Sequence, residues 1–239
     1  HWIAPDFIDP DGDGLLNFSG GDEANCFVGV PITKVILEWY DWPASARDYD
    51  LYITTPSGYI VTASTRPQTG SQPPYEIVRL SFLSGTAILC AVVVRYSGPT
   101  GVPVELFVSP NGGMEYIIPA YSIGSPADSP YVVAVGAVDW DTDRLAPYSS
   151  QGPTIDGRLK PDISAPTRVS TVSYGIQEFP GTSSAAPHVA GALALMIQKA
   201  FRLFPASAVY PILAPRSVDL GPRGPDPGYG IGRLYMLPR

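Results

Sequence analysis

Histidine and cysteine are scarce in this chain, with two of each among 239 residues. Basic side chains are also few, 15 Lys plus Arg against 22 Asp plus Glu, for a net charge of −7. A field of that sign repels phosphate backbones and anionic bilayer surfaces, so nucleic acid is the least expected class of partner. No apolar run approaches the roughly 20 residues that a membrane-spanning helix needs, and no membrane span is expected. The N-terminus, "HWIAPDFIDPDGDG", has neither the charged and apolar regions of a signal peptide nor an initiator Met, so it reads as a processed or excised piece of a longer polypeptide. Internal repeats and low-complexity tracts are also missing. The two cysteines, Cys26 and Cys90, leave two readings open, one disulfide in an oxidising compartment or two free buried thiols.

Proline (27) and glycine (24) are abundant, yet 45% of residues are hydrophobic and spread along the whole chain, which describes a turn-rich folded protein. Its length suits one large domain or two modest ones. From Lys34 to Val108 the chain reads as short alternating or β-branched runs, "KVILEWY", "DYDLYIT", "YIVTAS", "YEIVRLSF", "TAILCAVVVRY" and "VPVELFV". Turn clusters separate them at the spacing of an antiparallel sandwich or barrel, so residues 1–112 are expected to form an all-β module, sandwich or jelly-roll-like. "SPNGGMEY", Ser109 to Tyr116, breaks the pattern. Residues 113–239 differ in kind. "YVVAVGAVDW", Tyr131 to Trp140, is a nearly continuous apolar run, as for a strand buried on both faces. From Ser183, apolar residues recur at Val189, Leu193, Met196, Ile197 and Ala200, the spacing of a helix with one buried stripe.

The stretch "GTSSAAPH" places a serine at the start of that helix. Gly181 allows backbone angles closed to other residues, and the hydroxyl of Ser183 would sit at a positive helix end beside free N–H groups. Such a place suits a nucleophile whose developing oxyanion is held by its own N–H. It equally suits a plain helix cap, since Ser and Thr are preferred there without any chemistry. His188 lies five residues along the helix and would point away from the Ser183 hydroxyl.

The flanking residues decide between the two. "GTSSAAPHVAG", Gly181 to Gly191, resembles the serine motif of the subtilisin-like serine proteases, Gly-Thr-Ser-x-Ala-x-Pro-His-Val-Ala-Gly, at every fixed position. "SPYVVAVGAVDWDT", "YSSQGPT", "LKPDISAP" and "DPGYGIGRL" resemble further segments of that family, in its order. The resemblance covers about half the chain. It implies an α/β fold, here the C-terminal half of a doubly wound parallel-sheet domain at 113–239, and a serine endopeptidase acting on polypeptide substrates. It implies Ser183 as the nucleophile, Gly181, Thr182 and Ser183 as the nucleophile and oxyanion turn, and His188 as a structural helix residue. Gly124, in "GSPADSP", aligns with one side of the primary specificity pocket. The family's Asp-Ser/Thr-Gly turn, His-Gly-Thr segment and oxyanion asparagine turn have no counterpart; His1 and Asn111 match neither. The catalytic Asp, His and Asn are therefore expected upstream of His1, in the same polypeptide, with the β-module inserted between them and the rest. A secreted or cell-surface bacterial protein is expected, with no cofactor required for the chemistry.

Two features lie outside that resemblance. "DPDGDGLLNF" places Asp9, Asp11 and Asp13 at alternate positions with Gly14 for a tight turn, as in the first half of an EF-hand-type calcium loop. Its twelfth position is Gly20 where a bidentate Glu should stand, leaving Asp22 or Glu23 to close a structural calcium site, against a plain solvated acidic turn. Trp39, Trp42, Tyr49 and Tyr52 alternate with acids; they suit a carbohydrate- or peptide-binding platform, but alternating strand aromatics are more often sheet-face and core residues, and the core is expected. "DYDLYITTPSG" resembles the small β-sandwich modules related to pre-peptidase C-terminal domains. These leave a second functional reading, a non-catalytic binding or structural protein whose protease half is a scaffold.

Overall fold

The computed structural model describes residues 1–81, 84–200 and 208–236, and the chain divides into two units, His1–Ile118 and Pro119–Arg239. It is strand-rich with few helices.

The first unit contains β1 (Trp2–Ala4), β2 (Asn25–Trp39), β3 (Asp48–Thr54), β4 (Ile60–Ser64), β5 (Tyr75–Leu80), β6 (Ala87–Ser97) and β7 (Val104–Met114). They form one antiparallel sheet in the order β1-β7-β2-β6-β3-β4, with β5 also paired to β2. Strand β2 organises it. Its first half, Asn25 to Gly29, pairs with β6, while Thr33 to Glu38 pair with β5. The change of partner falls at Pro31 and Ile32, where Pro31 has no N–H to give and Ile32 has φ 68°. Thr33 closes the bend: its hydroxyl accepts the Val30 N–H at 3.0 Å and lies 2.9 Å from the Val30 and Pro110 carbonyls. Inward residues of every long strand, among them Phe27, Leu37, Trp39, Leu51, Ile53, Val93 and Leu106, meet in one apolar cluster. Cys26 and Cys90 stand opposite each other on β2 and β6 and are joined as a disulfide.

The segment Ser109 to Tyr116, which reads as a break, continues β7 as far as Met114. Its register against β2 slips between Gly29 and Lys34, and Pro110 falls in that slip, where a missing N–H costs no ladder bond. Asn111 pairs there with Gly29.

In the second unit, β8 (Val135–Asp139), β9 (Ile163–Thr167) and β13 (Arg233–Leu234) are parallel, and β12 (Ser217–Val218) closes the edge antiparallel to β13. A hairpin of β10 (Val169–Thr171) and β11 (Gly175–Phe179) follows β9. Helix α1 (Thr182–Ala200) packs on β8 and β9, and α2 (Val209–Leu213) adds Leu213 to the core. The apolar run from Tyr131 is strand only over its second half; Tyr131 and Val132 are exposed. The buried stripe of α1 is also narrower than its apolar spacing. Ser184, Ala185, Val189 and Ala192 are buried, Leu193 and Met196 lie partly buried against the core, and Ala200 is exposed. Small residues take the contact because alanines of helix and strand, Ala185 against Ala137 and Ala165, let the backbones approach closely.

Candidate active site

Helix α1 starts one residue before Ser183, directly after Gly181, whose φ of +97° is a conformation glycine adopts without a Cβ penalty. The Gly181 carbonyl is the knot of the turn. It accepts the Ser184 N–H at 3.0 Å, the Ser184 hydroxyl at 3.0 Å and the Thr167 hydroxyl at 3.1 Å. The Gly181 N–H donates to the Tyr148 oxygen at 3.2 Å, and the Tyr148 and Thr167 hydroxyls lie 2.9 Å apart. The Ser184 hydroxyl also reaches Thr167 at 3.1 Å. Thr167 and Ser184 are each 1% exposed, so these bonds form away from competing water.

Ser183 points the other way. Its side chain is exposed and its hydroxyl has no hydrogen-bond partner among the described residues. As the second residue of α1, its N–H has no carbonyl one turn earlier to bond, so it is free for an anion. Pro187 is the sixth residue of α1, past the first turn, so it takes from the Ser183 carbonyl the N–H that a helix would otherwise bring to it. Thr167 is the last residue of β9, so the serine turn hangs from the C-terminal end of a parallel strand, the end where open α/β sheets bind ligands. That end is pinned by Arg168, φ 55°, whose guanidinium donates to both Asp139 oxygens at 2.7 and 2.9 Å. The Arg168 hydrogen bonds hold the Asp139 carboxyl well below the usual carboxylate range.

Segments distant in sequence brace the sheet beneath. The Ser149 hydroxyl oxygen accepts the Ala137 N–H at 3.0 Å. Lys160 is buried, its ammonium donating to the Val132 carbonyl and to Asp162, each at 2.6 Å. The closing turn Asp226 to Gly232 bonds along β9 through Ser164, which donates its hydroxyl to the Tyr229 carbonyl and its N–H to the Gly232 carbonyl. A Cβ at Gly232 would run into the Val218 carbonyl, so only glycine allows this strand-to-turn approach.

Thr182 is the first residue of α1, beside Gly181 and Ser183. The Nδ1 of His188 is 2.7 Å from the Ser184 carbonyl, so its ring is held against its own helix. His1 is bonded within the first unit, with Nδ1 2.9 Å from the Ile118 carbonyl. Gly124 opens an exposed turn in which its carbonyl accepts the Ala127 N–H, and a Cβ there would meet open space. Asp9, Asp11 and Asp13 bring carboxylate oxygens within 4.8 Å of one another. Asp9 accepts the Gly12 and Gly14 N–H groups at 2.8 and 3.1 Å and lies 3.5 Å from Arg95. Asp22 is taken by the Tyr116 hydroxyl at 2.7 Å, whereas Glu23 faces the loop: burial, then the charges of Asp13, Asp11 and Asp22, raise its pKa. The four aromatics divide between core and surface, Tyr49 and Tyr52 by their parity on β3 and Trp42 by lying in the loop beyond β2. Trp39 and Tyr49 are fully buried, while Trp42 is exposed and Tyr52 is half-buried on the outer face. Tyr148, Thr167 and Ser184 escaped the sequence reading as positioning residues, although each falls within or beside a quoted family segment.

The fold and the site together present an exposed serine on a glycine-preceded helix start at the end of a parallel strand. Residues 112–232, just over half the chain, match the Subtilase family, and the chain belongs to that family. It is 38% identical over 105 residues to the membrane-bound transcription factor site-1 protease of Homo sapiens, covering 39% of this chain and 10% of that protein. It is 41% identical over 78 residues to subtilisin E of Bacillus subtilis, covering 33% of this chain and 19% of that protein. The matched region thus spans a tenth to a fifth of these relatives. Among solved structures, the CspB protease of Clostridium perfringens shares the fold with a TM-score of 0.60 and 18% identity, over 90% of this chain and 54% of that one. A coverage of 90% exceeds what the second unit alone can supply, so the likeness takes in the first unit as well.

Proposed function

We propose that the polypeptide carrying this chain is a serine endopeptidase in which Ser183 is the nucleophile. The carrying observation is the free, outward Ser183 hydroxyl on a turn whose other polar groups are bonded inward. Ser183 Oγ gives its proton to the base as it attacks a peptide carbonyl, the C–N bond breaks and the amine leaves with that proton. Water then hydrolyses the acyl-enzyme, with the Ser183 N–H holding one side of the oxyanion. A scaffold without chemistry has no physical need for that free hydroxyl. His188 is committed to the Ser184 carbonyl, so the base, the aspartate that orients it and the oxyanion asparagine are assigned to an upstream part of the same polypeptide. The chain by itself is then inactive, because an unassisted serine stays protonated. In this reading 113–239 is the C-terminal part of a doubly wound α/β catalytic domain, Gly124 lines a substrate pocket, and 1–112 is an inserted β-sandwich module. An extracellular or cell-surface location agrees with the Cys26–Cys90 disulfide.

A fluorophosphonate probe tests the assignment on the full polypeptide. Labelling is expected at Ser183 and lost in Ser183→Ala; an unlabelled Ser183 in folded protein establishes the binding-scaffold reading instead. For the acidic loop we propose a structural calcium ion held by Asp9, Asp11 and Asp13 with Asp22 or Glu23 closing the site, which the convergence of the three carboxylates within 4.8 Å supports. Calorimetric titration with calcium is expected to give heat that Asp11→Ala removes, and no heat in the parent protein rules the site out.

A further inference from the structure

Strand β3 lies between β6 and β4, and its residues alternate in their surroundings. Tyr49, Leu51 and Ile53 enter the apolar cluster, which turns Asp48, Asp50, Tyr52 and Thr54 to the opposite face. There a cleft of about 370 Å³ is lined by Asp48, Asp50, Tyr52, Thr65, Pro67 and Tyr96. Its two carboxylates are unusual. Asp50 is only 7% exposed and has no hydrogen-bond or ion-pair partner among the described residues. Asp48 is 4% exposed and its Oδ1 is also without a partner. Buried charge of this kind is costly unless something neutralises it. Burial, then the charges of Asp48 and Glu76, pushes the Asp50 carboxyl up to about 6.

The neighbouring groups do not supply the missing charge. Glu76, behind the cleft on β5, is satisfied by the Ser64 hydroxyl, the Arg66 N–H and the Gln68 amide, so it adds negative charge. Arg66 sits 3.8 Å from Glu76 with its guanidinium over Tyr75, and Arg95 turns to Asp9. No Lys or Arg lines the cleft. A bound metal is a poor match. Among the described residues only Asp9, Asp11 and Asp13 bring three ligand atoms within 4.8 Å, and the cleft has the size of an organic ligand site. Its walls are aromatic, with Tyr96 73% exposed at the mouth, which suits the flat or alkyl body of an organic cation. Beyond Tyr52 a second cleft of about 750 Å³ continues along the same face, with Val92, Val94 and Ile60 among its apolar residues, Glu23 and Glu115 among its acids, and again no basic residue. A cation pocket that opens onto an apolar channel with acidic edges fits an extended chain rather than a small ion.

We propose that this outer face of the β3–β6 pair binds a basic polypeptide segment, with an Arg or Lys side chain between Asp48 and Asp50 and its apolar neighbours lying past Tyr52. The site is separate from the peptidase reading and does not use Ser183. It is therefore tested on the Ser183→Ala form of the full polypeptide, which cannot consume the probe. The probe is a fluorescein-labelled octapeptide with one central Arg among Val and Leu residues, compared with the same peptide carrying neutral citrulline, by fluorescence anisotropy. Saturable binding of the Arg peptide is expected, with citrulline at least about tenfold weaker, since a charge-assisted bond is lost. Asp50→Asn and Asp48→Asn are expected to weaken the Arg peptide by about tenfold or more and leave citrulline unchanged. Tyr96→Ala, at an exposed position that does not endanger folding, should weaken it a few-fold. Asp219→Asn removes the same charge at an exposed position of the second unit and should leave binding within about twofold. Equal binding of Arg and citrulline peptides, no binding of either, an unaffected folded Asp50→Asn, or an equal loss in Asp219→Asn each overturns the proposal. So does displacement of the peptide by calcium with a calcium heat that Asp50→Asn abolishes, which would make the cleft a metal site.

Discussion

Replacing Thr167 with Val removes one hydroxyl that touches the Gly181 carbonyl, the Tyr148 oxygen and the Ser184 hydroxyl together, and keeps the side chain's volume and branching. The buried partners left behind should cost about 1–3 kcal/mol in a denaturation curve. The serine turn should also loosen, lowering the fluorophosphonate labelling rate expected of Ser183 in full-length protein; an unchanged rate would mean that α1 alone positions the serine. Asp50 acts in the opposite sense. Its folded pKa of about 6 lies above its ordinary 3.8, so between those values the folded state holds a proton that the unfolded state has released. Stability therefore falls as pH rises from about 4 to 6, and the penalty is full above 6. Asp50→Asn should raise stability at pH 7 by about 1–3 kcal/mol and gain little below pH 4, read as melting temperature against pH. An unbonded carboxylate kept at such a cost is the kind of local conflict that marks a working residue.

At the scale of elements, the entry to α1 and the bend of β2 rest on single backbone conformations. Gly181→Ala forces a Cβ onto a residue at φ +97°, and about 1–3 kcal/mol of strain is expected, with Ser183 labelling reduced more than global stability, as chemical unfolding and probe kinetics on one sample would separate. The helix itself was legible: its start, its proline and its apolar period all stand in "GTSSAAPHVAGALALMIQKA". Its contact stripe was not, because alanines carry little hydrophobic signal and are buried for closeness rather than for size. Strand β2 shows the converse. "KVILEWY" reads as a strand of ordinary length, yet pairing extends it back to Asn25 through Pro31, since Thr33 and the carbonyl of Pro110 stabilise a bend that no local propensity predicts.

For the whole molecule, the Cys26–Cys90 bridge closes a separation of 64 residues inside the first unit. Chain-entropy arguments put its stabilisation near 4 kcal/mol as an upper figure. Under a reducing agent the unfolding transition of the first unit should move to lower denaturant while that of the second stays in place, as tryptophan fluorescence and Ser183 labelling would follow separately. A common shift of both would show that the two units unfold together. What the sequence determined by itself is local. The glycine–serine turn, the helix it opens and the β character of the first hundred residues each depend on neighbours a few positions apart. Tertiary structure decided the rest, because it depends on which distant groups meet. Tyr148, Thr167 and Ser184 converge on one carbonyl only when β9 and α1 are packed together. Whether an aromatic or an acid of β3 faces the core or the open cleft is set by strand register, which a one-residue slip would invert. The same parity that buries Tyr49 in the core turns Asp50 to the cleft on the opposite face, and no composition or motif states which of the two faces is covered.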